Sequence, residues 1–168
     1  METPVKYGED KGIEVKVSTP CPPSIVRDHP FIKGIKYIPI GVIEGMLDRI
    51  FGIGNWWVEI KETKMLANSV VVVVSLSVDF GGGKIRKYEG VGAAPLQVDA
   101  GHKPTDIDAL KPNAVMIGLP AAKSFALKDA AEHIGEIFGR NLNRKDYLPS
   151  IRQENKVEVK NVEIKNNQ

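Results

Sequence analysis

"SVVVVVSLSVDFGGGKIRKYEGVGAAP" runs from Ser69 to Pro95, and the fold turns on it. Val70 to Val74 is β-branched throughout, which suits a pleated strand and costs a helix its side-chain freedom. A strand apolar on both faces is expected to be central and covered. Gly81 to Gly83 interrupts the pattern as a turn, and "KIRKYEGVGA" resumes it. Upstream, "NWWVEIKETKML" forms a further strand, closed by the turn signal Asn68. The three runs predict an antiparallel meander.

Helical spacing flanks the meander on both sides. In "IPIGVIEGMLDRIFG", Val42, Ile43, Met46, Leu47, Ile50 and Phe51 recur at helical intervals, and Gly52 follows as a C-cap. Gly45 inside that run lowers its helix propensity. After a loop rich in Gly, Pro and Asp, "NAVMIGLPAAKSFALKDAAEHIGEIFG" predicts a long helix from Asn113 to Gly139. Met116, Leu119, Leu127, Ala130, Ile134, Ile137 and Phe138 fall on one stripe of it. Pro120 is expected to kink that helix or to start it afresh. A short helix, at least three antiparallel strands and a long helix packed on one face define an α+β fold.

Residues 1–36, with the Pro-rich "STPCPPS", are expected to be irregular. The polar tail 153–168 is expected either to be disordered or, through "KVEVKNVEIK", to add a strand. One folded domain then spans residues 37–152.

The totals narrow the function. The chain has 168 residues, 42% hydrophobic and 26% charged, an ordinary globular composition. Its formal charge of +2 does not by itself imply a polyanion partner, so position has to decide. The single cysteine, Cys21, excludes a disulfide framework and a cysteine zinc cluster within one chain. It fits a reducing cytoplasm. "METPVKYGEDKG" lacks the apolar core of a signal peptide, and "SVVVVVSLSV" is too short for a membrane-spanning helix.

Enzymatic signals are sparse. "GVGAAP" lacks the third glycine and the following helix of a dinucleotide fingerprint, so close backbone approach is the expected role of Gly90 and Gly92. No Gly-Lys-Ser/Thr phosphate loop is present. Asp99, His102, Asp106 and Asp108 suggest a divalent-cation cluster, but their spacing matches no metal motif; turn and cap roles are expected. His29 precedes a proline in a loop, and His133 lies on the polar flank of the long helix.

Binding signals are stronger. Lys84, Arg86 and Tyr88 alternate, which places two cations and an aromatic on one strand face. Arg140, Arg144 and Lys145 follow the long helix, where cations also complement the helix dipole. Trp56 and Trp57 must point to opposite faces, one to the core and one to a stacking or subunit contact. Phe125 lies opposite the apolar stripe, which suggests a second buried surface.

"YIPIGVIEGMLDRIFGIGNWWVEI" resembles the opening of the Rad-fifty-two type of single-strand annealing proteins. "ALKDAAEHIGEIFGRNLNRKDYL" is similar to their close, through Leu127, Lys128, Ala130, Gly135, Gly139, Lys145, Asp146 and Tyr147. The resemblance covers Tyr37 to Leu148, and the small size points to the phage, Sak-like members. It implies an oligomeric ring that holds single-stranded DNA in a basic groove and pairs complementary strands without ATP, in recombination and repair. It further implies that Gly135 and Gly139 form a close-packing helix face and that Lys145 touches the phosphate backbone. With the sequence patterns, the DNA-contacting set becomes Lys145, Arg144, Arg140, Lys84, Arg86, Tyr88 and Lys128. No catalytic residue, metal or other cofactor is expected. The expected partners are single-stranded DNA, further copies of the chain, and a phage exonuclease or host single-strand-binding protein, in the cytoplasm of a bacterial host. The family's arginine near the start of the first helix is replaced here by Val42. A structural phage oligomer without DNA binding and a metal-dependent nuclease built on Asp99, His102, Asp106 and Asp108 are the alternatives.

Overall fold

The computed structural model of the chain describes residues 11–30 and 32–144. Helix α1 spans Lys11–Ser18, and a two-residue ribbon pairs β1, Arg27–Asp28, with β2, Lys36–Tyr37. Helix α2 spans Ile40–Phe51 and ends at Gly52 with φ of 94°, a backbone that glycine adopts freely. Strands β3 (Trp56–Leu66), β4 (Ser69–Asp79) and β5 (Ile85–Pro95) form one antiparallel sheet in that order. Helix α3 spans Ala114–Glu132 and lies across one face of it. This is the α+β layout expected, with the meander between a short helix and a long one.

The even positions of β4 build the core. Val72, Val74, Leu76 and Val78 are fully buried beneath the helices. Each such side chain contributes roughly 1.5–3 kcal/mol through area removed from water. Leu47 and Ile43 of α2 and Phe138 close the core from above. Trp56 is half-buried, and its indole N–H donates to Asp48 Oδ1 at 2.8 Å, tying β3 to α2. Trp57 points to the opposite face and is 38% exposed, so the two tryptophans divide as expected.

The spacing between α3 and β5 sets which residues are inside. A Cβ on Gly90 would lie 2.2 Å from the Ala126 carbonyl oxygen, and one on Gly92 2.2 Å from that of Ala122. Two glycines on the strand and alanines on the helix therefore bring the backbones into contact. The buried face of α3 is Ala114, Gly118, Ala122, Ala126 and Ala130 at four-residue intervals, with Leu127 and Ala131 beside it. This corrects the large-residue stripe. Met116 is 79% exposed and Leu119 is also turned outward, because the gap over Gly92 admits only small side chains. The helix runs through Pro120 without a restart. Asp129 Oδ2 accepts the Val91 N–H at 2.9 Å and fastens α3 to the outer edge of β5.

Three further expectations change. Residues 1–36 are not wholly irregular, since α1 occupies part of them and buries Ile13 and Val17, four apart, on the core. Helix α3 stops at Glu132 rather than at Gly139. Gly135 is fully extended there, and a Cβ on it would lie 2.1 Å from the Val17 carbonyl oxygen, so the chain past the helix packs backbone to backbone on α1. Gly139, at φ 95°, ends a short 3-10 turn at Glu136–Phe138. Gly135 and Gly139 therefore form no helix face. Finally, among the described residues helices cover the central strand on one side alone. Val71 and Val73 of β4 are half-buried on the other, which no described helix covers. The tail 153–168 lies outside the described residues.

Gly92→Ala is expected to cost about 2–3 kcal/mol by overpacking against backbone that cannot step aside, lowering Tm by roughly 5–10 °C. Gly45→Ala, whose Cβ meets nothing within 4 Å, is expected to raise stability by about 0.5–1 kcal/mol. Paired thermal melts check both.

Candidate nucleic-acid interface

The end of α3 gathers cations from separate parts of the chain. Lys128 lies on the turn before Glu132, and its ammonium sits 4.7 Å from the Tyr37 ring centroid and 5.8 Å from that of Phe125. Arg140 doubles back to donate from Nε to the Glu132 carbonyl at 2.9 Å and from its guanidinium to the His133 carbonyl. It caps the open C-terminus of α3, the structural role that helix geometry assigns a cation there. Arg144 is exposed and close enough for its charge to act on the Glu132 carboxyl. Lys145, the next residue, lies outside the described residues.

The β2 ribbon and the last described turn are fastened at this point. Asn143 Oδ1 accepts the Lys36 N–H at 2.8 Å, and Asn143 Nδ2 donates to the Lys36 carbonyl at 2.8 Å. This two-point clamp carries Tyr37 and the chain beyond Gly139 to one place. His29 packs edge-on against Tyr37 at 5.9 Å. Sequence reasoning left Lys36, Asn143 and His29 without a role. Lys36 and Asn143 are 107 positions apart, so no local pattern announces their contact.

Electrostatics at the cluster is strained in two opposing ways. Burial pulls the Lys128 ammonium below the ordinary lysine range, with Glu132 pulling the other way. Burial, reinforced by Asp129, holds the Glu132 carboxyl above the ordinary carboxylate range, against Lys128 and Arg144. Among the described residues Lys128 Nζ has no ion-pair partner within 4.0 Å and no hydrogen-bond acceptor; its contacts are the two rings.

The strand residues go elsewhere. Arg86 and Tyr88 share the parity of Gly90, Gly92 and Ala94, and those positions face the helices. Arg86 is 4.3 Å from the Phe80 ring centroid and 3.2 Å from Glu14 of α1. Tyr88 is half-buried against the core. Lys84 precedes the strand and is exposed beside the glycine turn. Arg86 and Tyr88 thus share one strand face, the one that carries the glycines meeting α3; Arg86 stays exposed at its margin, and Lys84 lies just outside the strand. The open sheet face instead carries Trp57, Lys87, Glu89 and Val91.

The acidic loop forms an open depression. Asp106 Oδ2 accepts the Lys103 N–H at 3.0 Å and lies 3.6 Å from His102 Nδ1, a turn role. Among the described residues no group of three or more His, Cys, Asp or Glu is placed to hold a metal ion. Burial pushes the Cys21 thiol up, away from nucleophilic use. No described helix is long and apolar enough to cross a membrane.

No protein-family description matches the chain, and no curated protein matches it. The cluster itself makes a prediction. A carboxyl whose folded pKa is raised favours the fold when protonated; that stabilisation is present below the unfolded pKa and lost as pH rises through the folded one. Glu132→Gln is neutral at every pH. It is expected to melt above the parent near neutral pH, with the gap closing toward pH about 4. A gap that widens toward acid contradicts this.

Proposed function

We propose that the protein binds single-stranded DNA and anneals complementary strands without ATP, as a homo-oligomeric ring. The observation that carries this is the convergence of Lys128, Arg140 and Arg144 with Tyr37 at the end of α3. These residues belong to the two sequence blocks that resemble the Rad-fifty-two type of annealing proteins, and the Lys36–Asn143 clamp joins those blocks in space. The chain then leads from exposed Arg144 directly into Lys145.

Phosphates are the ligands that exposed cations hold regardless of base sequence. Arg144 and Lys145 take that role, while Arg140 keeps the turn in place. Arg86, bound to Glu14 and Phe80, belongs to the scaffold, and Lys84 lies at the glycine turn before β5. No covalent chemistry is required: one strand is held extended until a complementary strand pairs with it.

Assembly is supported by apolar surface that one chain leaves open. Val115, Met116, Ile117 and Leu119 line the outer side of α3, while Trp57, Leu66 and Val91 stand on the open sheet face. Exposed apolar area on this scale favours protein contact. A second copy covering the open sheet face completes the burial that the valine run calls for. A ring also repeats the few cations of one chain along a single strand, which multiplies weak contacts into tight binding. The same apolar surface fits a structural oligomer, so DNA binding is the discriminating property.

Fluorescence anisotropy of a labelled oligo-dT tests it. Two phosphate contacts per chain, from Arg144 and Lys145, predict a roughly 7-fold loss of affinity per chain engaged between 50 and 200 mM salt. Arg144→Ala with Lys145→Ala is expected to weaken binding at least tenfold and to flatten the salt dependence. Absence of binding at low salt overturns the proposal in favour of the structural oligomer.

A further inference from the structure

A cavity of about 270 Å³ opens beside Lys128. Its walls include Tyr37, Phe125, Lys128 and Glu132, and its floor includes Ile38 and Phe138. The volume falls just under the roughly 300–1,000 Å³ of pockets for drug-sized ligands, which suits a single ring system. We infer that this cavity receives one unstacked nucleobase of the bound strand, so that Lys128 reads a base edge rather than a phosphate. The assignment deepens the single-strand-binding proposal and rests on it.

The lining chooses between the two ligand chemistries. A phosphate is attracted by Lys128 but repelled by Glu132, and it has no use for apolar walls. A nucleobase uses all of them. Its face lies against the Tyr37 and Phe125 rings, a stacking contact that any base can make. A ring carbonyl, or a ring nitrogen in adenine, accepts from Lys128 Nζ, and a ring N–H or exocyclic amine donates to Glu132. Every nucleobase offers both an acceptor and a donor, so the pocket tolerates any sequence. The half-buried ammonium, which has no acceptor among the described residues, gains one when a base enters. Phe125 also acquires a purpose: it is 43% exposed on the side of α3 away from the sheet, where packing within the chain does not require a ring.

A base enters such a pocket only after leaving its stack. Duplex DNA offers no free face to Tyr37, so the pocket favours single strands over double strands. It also sets the register of the strand, one held base for each copy of the chain, with the intervening bases left accessible for pairing.

The test compares oligo-dT with an abasic oligonucleotide of equal length, which keeps the phosphates and lacks the bases. Anisotropy is read for the parent, Phe125→Leu and Lys128→Gln at two salt concentrations, with a thermal melt for each protein. Phe125→Leu keeps apolar bulk at an exposed position and removes the ring face, so it guards against loss of folding. The parent is expected to prefer oligo-dT. Each variant is expected to lose roughly 5- to 30-fold for oligo-dT, to bind the abasic strand as the parent does, and to keep the parent's salt slope. Equal weakening toward both oligonucleotides, or a shallower salt slope in Lys128→Gln, makes Lys128 a phosphate contact and overturns the inference while DNA binding stands. Failure of the parent to bind either strand at low salt overturns both proposals together.

Discussion

The contact of bare backbone between β5 and α3 governs most of this structure. Gly90 and Gly92 leave no Cβ between the strand and the carbonyls of Ala122 and Ala126. Once the backbones meet, the face of α3 over them must be alanine and glycine; Val115, Met116, Ile117 and Leu119 point away, and Leu127 is buried beside the contact rather than within it. The same contact fixes the parity of β5, so that Arg86 and Tyr88 turn inward with the glycines while Lys87 and Val91 turn outward. Core composition, strand orientation and exposed apolar surface thus follow from two missing side chains.

That constraint also shapes the candidate interface. A helix seated this low brings Lys128, Glu132 and Phe125 onto its far side, within reach of Tyr37 on the β2 ribbon. After Glu132 the chain packs on α1 so closely that a side chain at Gly135 would meet the Val17 carbonyl. Arg140 then caps the carbonyls left open, and Asn143 anchors the emerging chain to Lys36. The basic segment at Arg144 is therefore the exit of a clamped turn rather than a continuation of the helix. A half-buried amine with no acceptor among the described residues, beside a carboxyl that resists ionisation, is a costly arrangement for a purely structural surface. It fits a site that waits for a ligand.

Much of this was legible in the sequence, for identifiable reasons. The valine run, the glycine triplet and Gly52 are strong local signals, and the meander, its turns and α2 appear where they predict. The close approach at Gly90 and Gly92 was also readable, because a glycine inside a strand pattern marks a place where another backbone comes near. What the sequence obscured is tertiary. Hydrophobic periodicity weighs side chains by size, so it favours Met116 and Leu119 over alanines, whereas the narrow gap reverses that order. "GIEVKV" in α1 alternates like a strand; only the burial of Ile13 and Val17 on the core makes it a helix. The Arg86–Glu14 pair is hidden from any local pattern because the two lie seventy-two positions apart. For the site, Lys128, Arg140 and Arg144 were visible as cations, yet their common neighbourhood with Tyr37 depends on contacts that no window of sequence contains.

The most direct test of annealing is the rate at which two complementary, dye-labelled oligonucleotides pair in the presence of the protein and in the absence of any nucleoside triphosphate. Energy transfer between the dyes is predicted to rise at least tenfold faster than for the strands alone, with the gain lost at high salt as phosphate contacts weaken. Pairing no faster than that of the free strands, under conditions where the protein demonstrably coats them, would contradict the account.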